Sequence, residues 1–285
     1  AHDPAVRTRM KTWLQTPPRV LVVAAHPDDE TVGAGILLAR LPGAVVLHLT
    51  DGAPRTAGFR ARGFSGSRKE YAAARRAELE AAMKLAGLGP ERLYCLGLPD
   101  QETVAHLADI AQHVAGYCRK LKVDVLLTHA YEGGHPDHDV AAMACRAAFE
   151  QLRSEGGPVP DLMEMALYHA GLEGAPVIGE FLPVPPYAVE NEESKVIGWD
   201  LSPADLDIKQ RMIESFRSQR DTLAPFLPPR RESFRPAPHY DFTQPPHYGV
   251  LQYEKWGFPL TGRRWREIAR EALPELGMEA GMRLV

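Results

Sequence analysis

Two short segments of this sequence concentrate imidazole and carboxylate side chains. Residues 26–30 read His-Pro-Asp-Asp-Glu and follow the apolar run 20–24. Residues 135–139 read His-Pro-Asp-His-Asp and come after the apolar run 123–128. So many ionisable groups beside buried strands need a compensating charge, which a metal ion supplies. Because the same chemistry occurs twice in matching positions, the pattern predicts one metal site assembled from two loops.

The donor types indicate zinc. Two imidazoles and one carboxylate with a free fourth position are typical of a catalytic zinc site. His26 and Asp29 are three residues apart at the end of one predicted strand, and His138 supplies a third ligand from the other segment. Zinc lowers the pKa of a bound water to about 7, which makes hydroxide available at neutral pH. We therefore predict one Zn²⁺ per chain, with other divalent metals as alternatives.

The remaining polar residues of the two segments suit hydrolysis. A carboxylate off the metal must take the proton of the water, and Asp28 is the candidate. A donor or cation must stabilise the oxyanion and protonate a leaving amine, and His135 is placed for that role. Asp137 would hydrogen-bond an imidazole and keep it oriented or charged.

The surrounding segments alternate between two patterns. Short apolar stretches predict strands at 20–25, 45–50, 93–96, 123–128 and 163–168, and amphipathic stretches predict helices at 33–41, 67–88, 103–121 and 139–153. This βαβα order predicts an α/β fold, a Rossmann-like three-layer sandwich with a mostly parallel sheet. Ligands of such folds bind beyond the carboxyl ends of the strands, where both motifs fall.

The chain changes character after residue 170. Segments 171–186 and 222–246 are rich in Pro and Gly, with amphipathic helices predicted at 203–220 and 262–273. We predict an α/β core over residues 1–170 and, over 171–285, a Pro-rich extension that packs on that core in a single structural unit.

Composition narrows the class of protein. The 285 residues are 45% hydrophobic and carry a net charge of −4, which gives no general drive toward nucleic acid or anionic membranes. No apolar run approaches the roughly 20 residues of a membrane span, and the first residues lack the apolar region of a signal peptide. Three widely spaced cysteines indicate reduced, buried thiols. We expect a cytoplasmic protein that acts on a small molecule.

The paired motifs resemble those of the LmbE-like (PIG-L) zinc-dependent N-deacetylases, which remove acetyl groups from N-acetylglucosamine units of small glycoconjugates. The resemblance covers residues 20–168. It implies zinc on His26, Asp29 and His138. It also implies that Asp28 is the general base and that His135, modulated by Asp137, stabilises the oxyanion or acts as general acid.

The resemblance also suggests substrate contacts. Family members use an Arg from the flap or the following helix and an Asp after the third strand, and Arg68 and Asp100 are the nearest matches here. Some members place an aromatic residue where this chain has Gly133. Either Tyr131 substitutes for that residue from a different angle, or the role is absent.

The predicted activity is hydrolysis of the N-acetyl amide of an N-acetylglucosamine-type sugar, with release of acetate and the free amine. Three alternatives stay open. The substrate is another acylated amine or thiol conjugate; the metal set belongs to a non-haem iron enzyme; or the chain is a Rossmann-like binding module. The glycine pattern at residues 33–35 weighs against the last alternative, because Leu38 leaves the dinucleotide fingerprint incomplete.

Overall fold

A computed structural model describes residues 12–13, 15–171, 175–183 and 196–279. Within these ranges the strands are β1 (Val20–Ala24), β2 (Val45–Pro54), β3 (Leu93–Asp100), β4 (Val125–His129), β5 (Asp161–Met165), β6 (Tyr168–Ala170), β7 (Pro176–Ile178), β8 (Ile197–Asp200) and β9 (Arg231–Pro236). The main sheet has the order β3-β2-β1-β4-β5-β9-β8, and β6 pairs with β7 in a separate small sheet. Strands β1 to β5 run parallel, whereas β9 and β8 are antiparallel to their neighbours.

Helices cover both faces of this sheet. They are α1 (Asp29–Arg40), α2 (Arg68–Leu85), α3 (Leu107–Leu121), α4 (Pro136–Ser154), α5 (Pro203–Glu214), α6 (Arg220–Leu223), α7 (Gln252–Lys255) and α8 (Gly262–Ala272). On one face, α1, α2 and α5 bury apolar side chains such as Leu37, Met83 and Met212. On the other, α3, α4 and α8 bury Val114, Met143 and Trp265 among others. The predicted three-layer α/β fold with a mostly parallel sheet is confirmed.

Both motifs lie at helix N-termini rather than in free loops. Helix α1 begins at Asp29, four residues before the predicted start, because its first turn accepts the carboxylates of Asp29 and Glu30. Helix α4 begins at Pro136 instead of the predicted residue 139, with proline in its first turn. The side chain of His135 caps α4 by accepting the backbone N–H of Asp137. The loops that carry the chemistry are therefore rigidly attached to the core.

The C-terminal third contributes two strands that the sequence did not predict. Strand β9 pairs with β5 and β8 pairs with β9, so this part of the chain extends the main sheet. The predicted strand 163–168 divides into β5 and β6, and the predicted helix 203–220 ends at Glu214. Part of the Pro-rich segment 171–186 lies outside the described residues.

Two further sequence expectations concern thiols and membranes. Cys118 and Cys145 are buried free thiols, as expected, but Cys95 is exposed because β3 is the edge strand of the sheet. Across the described ranges, every helix is too short or too polar to cross a lipid bilayer.

Candidate metal and active site

The two motifs meet at the point in the sheet where the order of the strands reverses. Strands β1 and β4 are neighbours in the middle of the sheet, but β1 leads toward β2 on one side and β4 toward β5 on the other. Their carboxyl ends therefore leave a crevice between two diverging connections, the place where open α/β sheets bind ligands. Residues 26–30 lie on one side of it and residues 135–139 on the other.

The loop after β1 is held in a strained conformation. Asp28 has φ 149°, a region that side-chain-bearing residues rarely adopt. Its backbone N–H donates to Oε2 of Glu30 at 3.1 Å, and the same oxygen is 2.9 Å from Nε2 of His48 on β2. Because Glu30 and His48 are fully buried, they fix this loop from below. Such over-determined strain is typical of functional positions.

The predicted ligands meet at the carboxylate of Asp29. Nδ1 of His26 is 3.1 Å from Oδ2 of Asp29, and Nε2 of His138 is 3.2 Å from Oδ1 of the same carboxylate. The three side chains are nearly buried, and within the described structure Nε2 of His138 has no hydrogen-bond partner. Ligand atoms on tetrahedral zinc are roughly 3.3 Å apart at bonds of about 2.0–2.1 Å. Among the described residues, the set of His26, His135 and His138 and the set of Asp29, His129 and His138 are each compact enough to hold one ion, and the predicted trio combines members of both. Its role as the ligand set remains a prediction.

A fourth imidazole, His129 at the end of β4, lies beside this group, and sequence reasoning missed it. With Asp29 and His138 it forms one of the compact sets able to hold a metal. However, Nε2 of His129 accepts the backbone N–H of Ala25 at 2.9 Å, so its lone pair is already used. Burial and the nearby imidazole of His138 hold the pKa of His129 well below its usual value. Its ring stacks on His138 at 4.0 Å, which makes it a positioning residue.

Asp137 lies beside two histidines and is closer to His26 than to the predicted partner His135. Its Oδ2 is 3.1 Å from Nε2 of His26 but 3.9 Å from Nδ1 of His135. The backbone N–H of Gln101 also donates to this oxygen, and Thr103 donates to Oδ1. The negative charge of Asp137 also raises the pKa of His135, so the predicted influence of Asp137 on His135 stays a prediction. The carboxylate of Asp137 orients the ring of His26, as carboxylates behind metal-bound histidines do.

The pKa shifts of His26 and Asp29 also indicate a cation site. Burial opposes the charged form of His26, yet the carboxylates of Asp100 and Asp29 raise its pKa well above the usual value. Burial likewise opposes ionisation of Asp29, and the imidazoles of His138 and His129 outweigh it, so its pKa falls well below normal. The site is therefore arranged to hold positive charge, which a metal would supply in place of the proton on His26.

His135 faces the cavity with one defined nitrogen. Its Nδ1 accepts the N–H of Asp137, so the proton of the neutral ring is on Nε2. Burial and the charge of His26 lower the pKa of His135 to about 3. The ring thus offers an N–H donor toward the cavity, where Oδ1 of Asp100 lies 3.7 Å from Nε2.

Asp28 is paired with an arginine that sequence reasoning did not select. Nη2 of Arg75 donates to Oδ2 of Asp28 at 3.0 Å and to the carbonyl of Pro27 at 2.7 Å. Burial raises the pKa of Asp28 to about 8, although Arg75 opposes this rise. Arg75 lies on the buried face of α2 between Tyr71 and Leu79, so a charged residue within an apolar stripe was the available signal.

Two predicted substrate contacts need correction. Arg68 is directed away from the cavity, because its guanidinium donates to Asp51 at 2.6 Å and to the carbonyl of Ala53 at 3.0 Å. Tyr131 is only 2% exposed and donates its hydroxyl to the carbonyl of Gln244. Its ring belongs to the core on the α4 face of the sheet, so it does not substitute for the aromatic residue missing at Gly133.

Asp100 is the predicted substrate contact that the structure brings to the site. Its Oδ1 is 3.1 Å from Nε2 of His26 and, within the described structure, forms no hydrogen bond of good geometry. Asp100 lines a cavity of about 420 Å³ together with His26, Asp28 and Asp29. Tyr168 also lines this cavity and has its ring 5.2 Å from that of His138.

Part of this chain is similar in sequence to known N-deacetylases. Residues 21–149 match the family model described as PIG-L: GlcNAc-PI de-N-acetylase. A relative from Catenulispora acidiphila, 1D-myo-inositol 2-acetamido-2-deoxy-alpha-D-glucopyranoside deacetylase 2, is 30% identical over 178 residues. That alignment covers 54% of this chain and 58% of the relative, so the chain spans little more than half of the relative's length.

Two solved structures have a similar fold. N,N'-diacetylchitobiose deacetylase from Pyrococcus horikoshii gives a TM-score of 0.52 at 22% identity, covering 78% of this chain and 83% of that one. The A40926 pseudoaglycone deacetylase gives 0.52 at 17% identity, covering 78% and 98%. At these identities the likeness establishes the α/β fold alone. The family match over residues 21–149, which include both motifs, agrees with the resemblance of this part of the chain to the PIG-L family.

Proposed function

We propose that this chain is a metal-dependent hydrolase that removes the acetyl group from an N-acetylglucosamine-type sugar. One observation carries the proposal. His26 and His138 both lie against the carboxylate of Asp29, and the buried Nε2 of His138 has no hydrogen-bond partner of good geometry in the described structure. Asp28 and His135 line the cavity beside them. Amide hydrolysis by a metal enzyme needs metal ligands, a carboxylate that acts as general base without binding the metal, and an N–H donor for the oxyanion.

The metal would be held by Nδ1 of His26, the carboxylate of Asp29 and Nε2 of His138. Mixed nitrogen and oxygen donors with an open position favour zinc. When bound, the ion supplies positive charge that acidifies water and polarises the acyl carbonyl. Asp137 keeps the ring of His26 oriented through Nε2, at 3.1 Å.

Asp28 is the proton carrier in this proposal. Arg75 holds its Oδ2, and Oδ1 is the atom that we assign to the proton of the attacking water. Burial favours the protonated form of Asp28, whereas Arg75 favours the carboxylate, as a bound ion would, so this group is able both to accept and to release a proton. The same proton then goes to the nitrogen of the leaving amine.

His135 is the oxyanion donor. The cap of α4 fixes its Nδ1 as an acceptor, which leaves Nε2–H to donate to the carbonyl oxygen as negative charge develops there. Because the ring is held by the helix N-terminus, it needs no reorganisation during the reaction. The family description and the name of the Catenulispora relative support an N-acetylated glucosamine as the substrate.

The test is acetate release from N-acetylglucosamine conjugates by the purified chain, with and without chelator. Asp28→Asn keeps the shape of the side chain and, because Asn tolerates positive φ, preserves the strained backbone. We expect this variant to retain its metal and to lose at least about a hundredfold in kcat. Asp109→Asn, an exposed carboxylate on α3, is the matched control and should retain full activity.

Two results would contradict the proposal. Acetate release that is insensitive to chelation and to metal depletion would exclude the metal role. Full activity of Asp28→Asn with its metal bound would exclude the assigned base. Bound iron with turnover of 2-oxoglutarate and no acetate would instead favour the non-haem iron alternative.

A further inference from the structure

One wall of the cavity carries the catalytic candidates, and a second wall is aromatic. Five aromatic rings line it, and their centroids are linked in sequence: Phe59 to Phe258 at 5.2 Å, Phe258 to Trp256 at 6.4 Å, Trp256 to Tyr168 at 5.4 Å and Tyr168 to Phe226 at 5.9 Å. We call these five residues the aromatic belt. They come from four separate segments of the chain, so the belt is a product of the fold.

The belt is continuous with the reacting centre. The ring of Phe258 contacts His135 at 5.0 Å, and that of Tyr168 contacts His138 at 5.2 Å. A molecule whose amide lies between His135 and the metal ligands would therefore extend its remainder along these rings. Phe59 is 38% exposed and Trp256 is 46% exposed, so two members present apolar surface to water. Covering such surface is favourable in proportion to its area.

Away from the proposed metal ligands, the charges of the described cavity lining disfavour an anionic substituent on the sugar. Its lining carboxylates include Asp28, Asp29, Asp100 and Asp221, and among the described lining residues Arg75 alone is permanently cationic. Arg75 is 4% exposed, and its terminal nitrogens already donate to Asp28, Pro27 and Gly52. A phosphate on the belt side of the cavity would meet carboxylates, and the described lining offers it no free arginine or lysine.

We propose that the substrate is an amino sugar whose anomeric substituent is uncharged and apolar, an aryl or alkyl aglycone that lies on the aromatic belt. This inference rests on the proposed deacetylase function. A second sugar ring would need hydrogen-bond partners along the same wall. The amide nitrogen of Gln219 already donates to the hydroxyl of Tyr71. Gln101, Asp221 and Thr222, which also line the cavity, are not members of the aromatic belt. An apolar group needs no such partners and covers the exposed rings.

The test compares kcat/KM for acetate release from five N-acetylglucosamine derivatives: the methyl, phenyl and octyl glycosides of one anomer, N,N'-diacetylchitobiose and the 1-phosphate. We expect the phenyl and octyl glycosides to exceed the methyl glycoside by about tenfold or more, and the 1-phosphate to fall below it. Trp256→Ala and Phe59→Ala should each lower the phenyl-to-methyl ratio by about twofold to tenfold. Tyr248→Ala, an exposed aromatic outside the cavity lining, is the control and should leave the ratio unchanged.

The possible outcomes distinguish a failure of the apolar-aglycone inference from a failure of the proposed deacetylase function. Equal kcat/KM for the three glycosides, or a preference for the chitobiose or the phosphate, would overturn the apolar aglycone and leave the deacetylase intact. A phenyl preference that survives both belt variants would also overturn it. Chelator-sensitive acetate release from none of the five would overturn the proposed function itself.

Discussion

A buried ion pair bridges a break in the helix that carries Asp29, and its removal is the most informative perturbation of the scaffold. Helix α1 is interrupted at Ala34, where φ is −144° and ψ is 18°. An unbroken helix would bond the N–H of Ile36 to the carbonyl of Val32. Here Lys209 donates to the carbonyl of Val32 at 2.7 Å, and Glu232 accepts the N–H of Ile36 at 2.7 Å.

The lysine and the glutamate also pair with each other, and both are almost fully buried. Burial lowers the pKa of Lys209, and the charge of Glu232 only partly offsets this. Lys209→Met leaves a buried carboxylate without its cation and a carbonyl without its donor. We expect the free energy of unfolding to fall by about 3–5 kcal/mol, a large share of the roughly 5–15 kcal/mol of a typical domain.

Urea unfolding of four proteins measures this effect. The double variant Lys209→Met/Glu232→Gln removes both charges and keeps one acceptor for the helix N–H groups, so it should be more stable than Lys209→Met alone. Asp200→Asn breaks the exposed pair with Arg231 and should change stability by less than about 1 kcal/mol. A loss for Lys209→Met no larger than that of Asp200→Asn, or a double variant less stable than Lys209→Met, would refute the bridging role.

Three further outcomes follow from the contacts at the site. Asp137→Asn should weaken metal affinity about 10- to 100-fold in competition with a chelating dye, and unchanged affinity would contradict the contact with His26. Arg75→Met should destabilise the protein by about 3 kcal/mol and lower kcat for acetate release at least about tenfold, whereas wild-type kcat would remove Arg75 from the mechanism. Gly134→Ala places a methyl group against the carbonyl of Tyr168 and should lower stability by about 1–3 kcal/mol. Its control, Gly116→Ala in open space on α3, should raise stability by about 0.5–1 kcal/mol, and equal effects of both changes would contradict the packing.

The features that depend on local spacing were predictable from the sequence. The apolar runs predicted β1 and β4, and the tendency of ligands to bind beyond the carboxyl ends of parallel strands placed His26 and His138 at one edge of the sheet. The three ligand candidates do lie at that edge, where His26 and His138 contact Asp29 and where Asp28 and His135 line the adjoining cavity.

Features that depend on contacts between distant segments were not predictable. Nothing local marks β9 as a strand, because its partner β5 lies about 70 residues earlier in the chain. The orientation of Asp137 toward His26 depends on how the two helix N-termini face each other. The aromatic belt likewise combines rings from both halves of the chain, so their periodicity carries no signal. Arg75 is the exception, since its place in the apolar stripe of α2 marks it as buried and paired.

The central claim is that His26, Asp29 and His138 hold the catalytic ion while the neighbouring His129 does not. Titration of the metal-depleted protein with Co²⁺, followed by its visible absorption, tests the claim without reference to turnover. We expect wild type and His129→Gln to bind about one equivalent with tetrahedral spectra, and His138→Gln to lose this binding while its circular dichroism stays native. Retained Co²⁺ binding in His138→Gln together with its loss in His129→Gln would contradict the assignment.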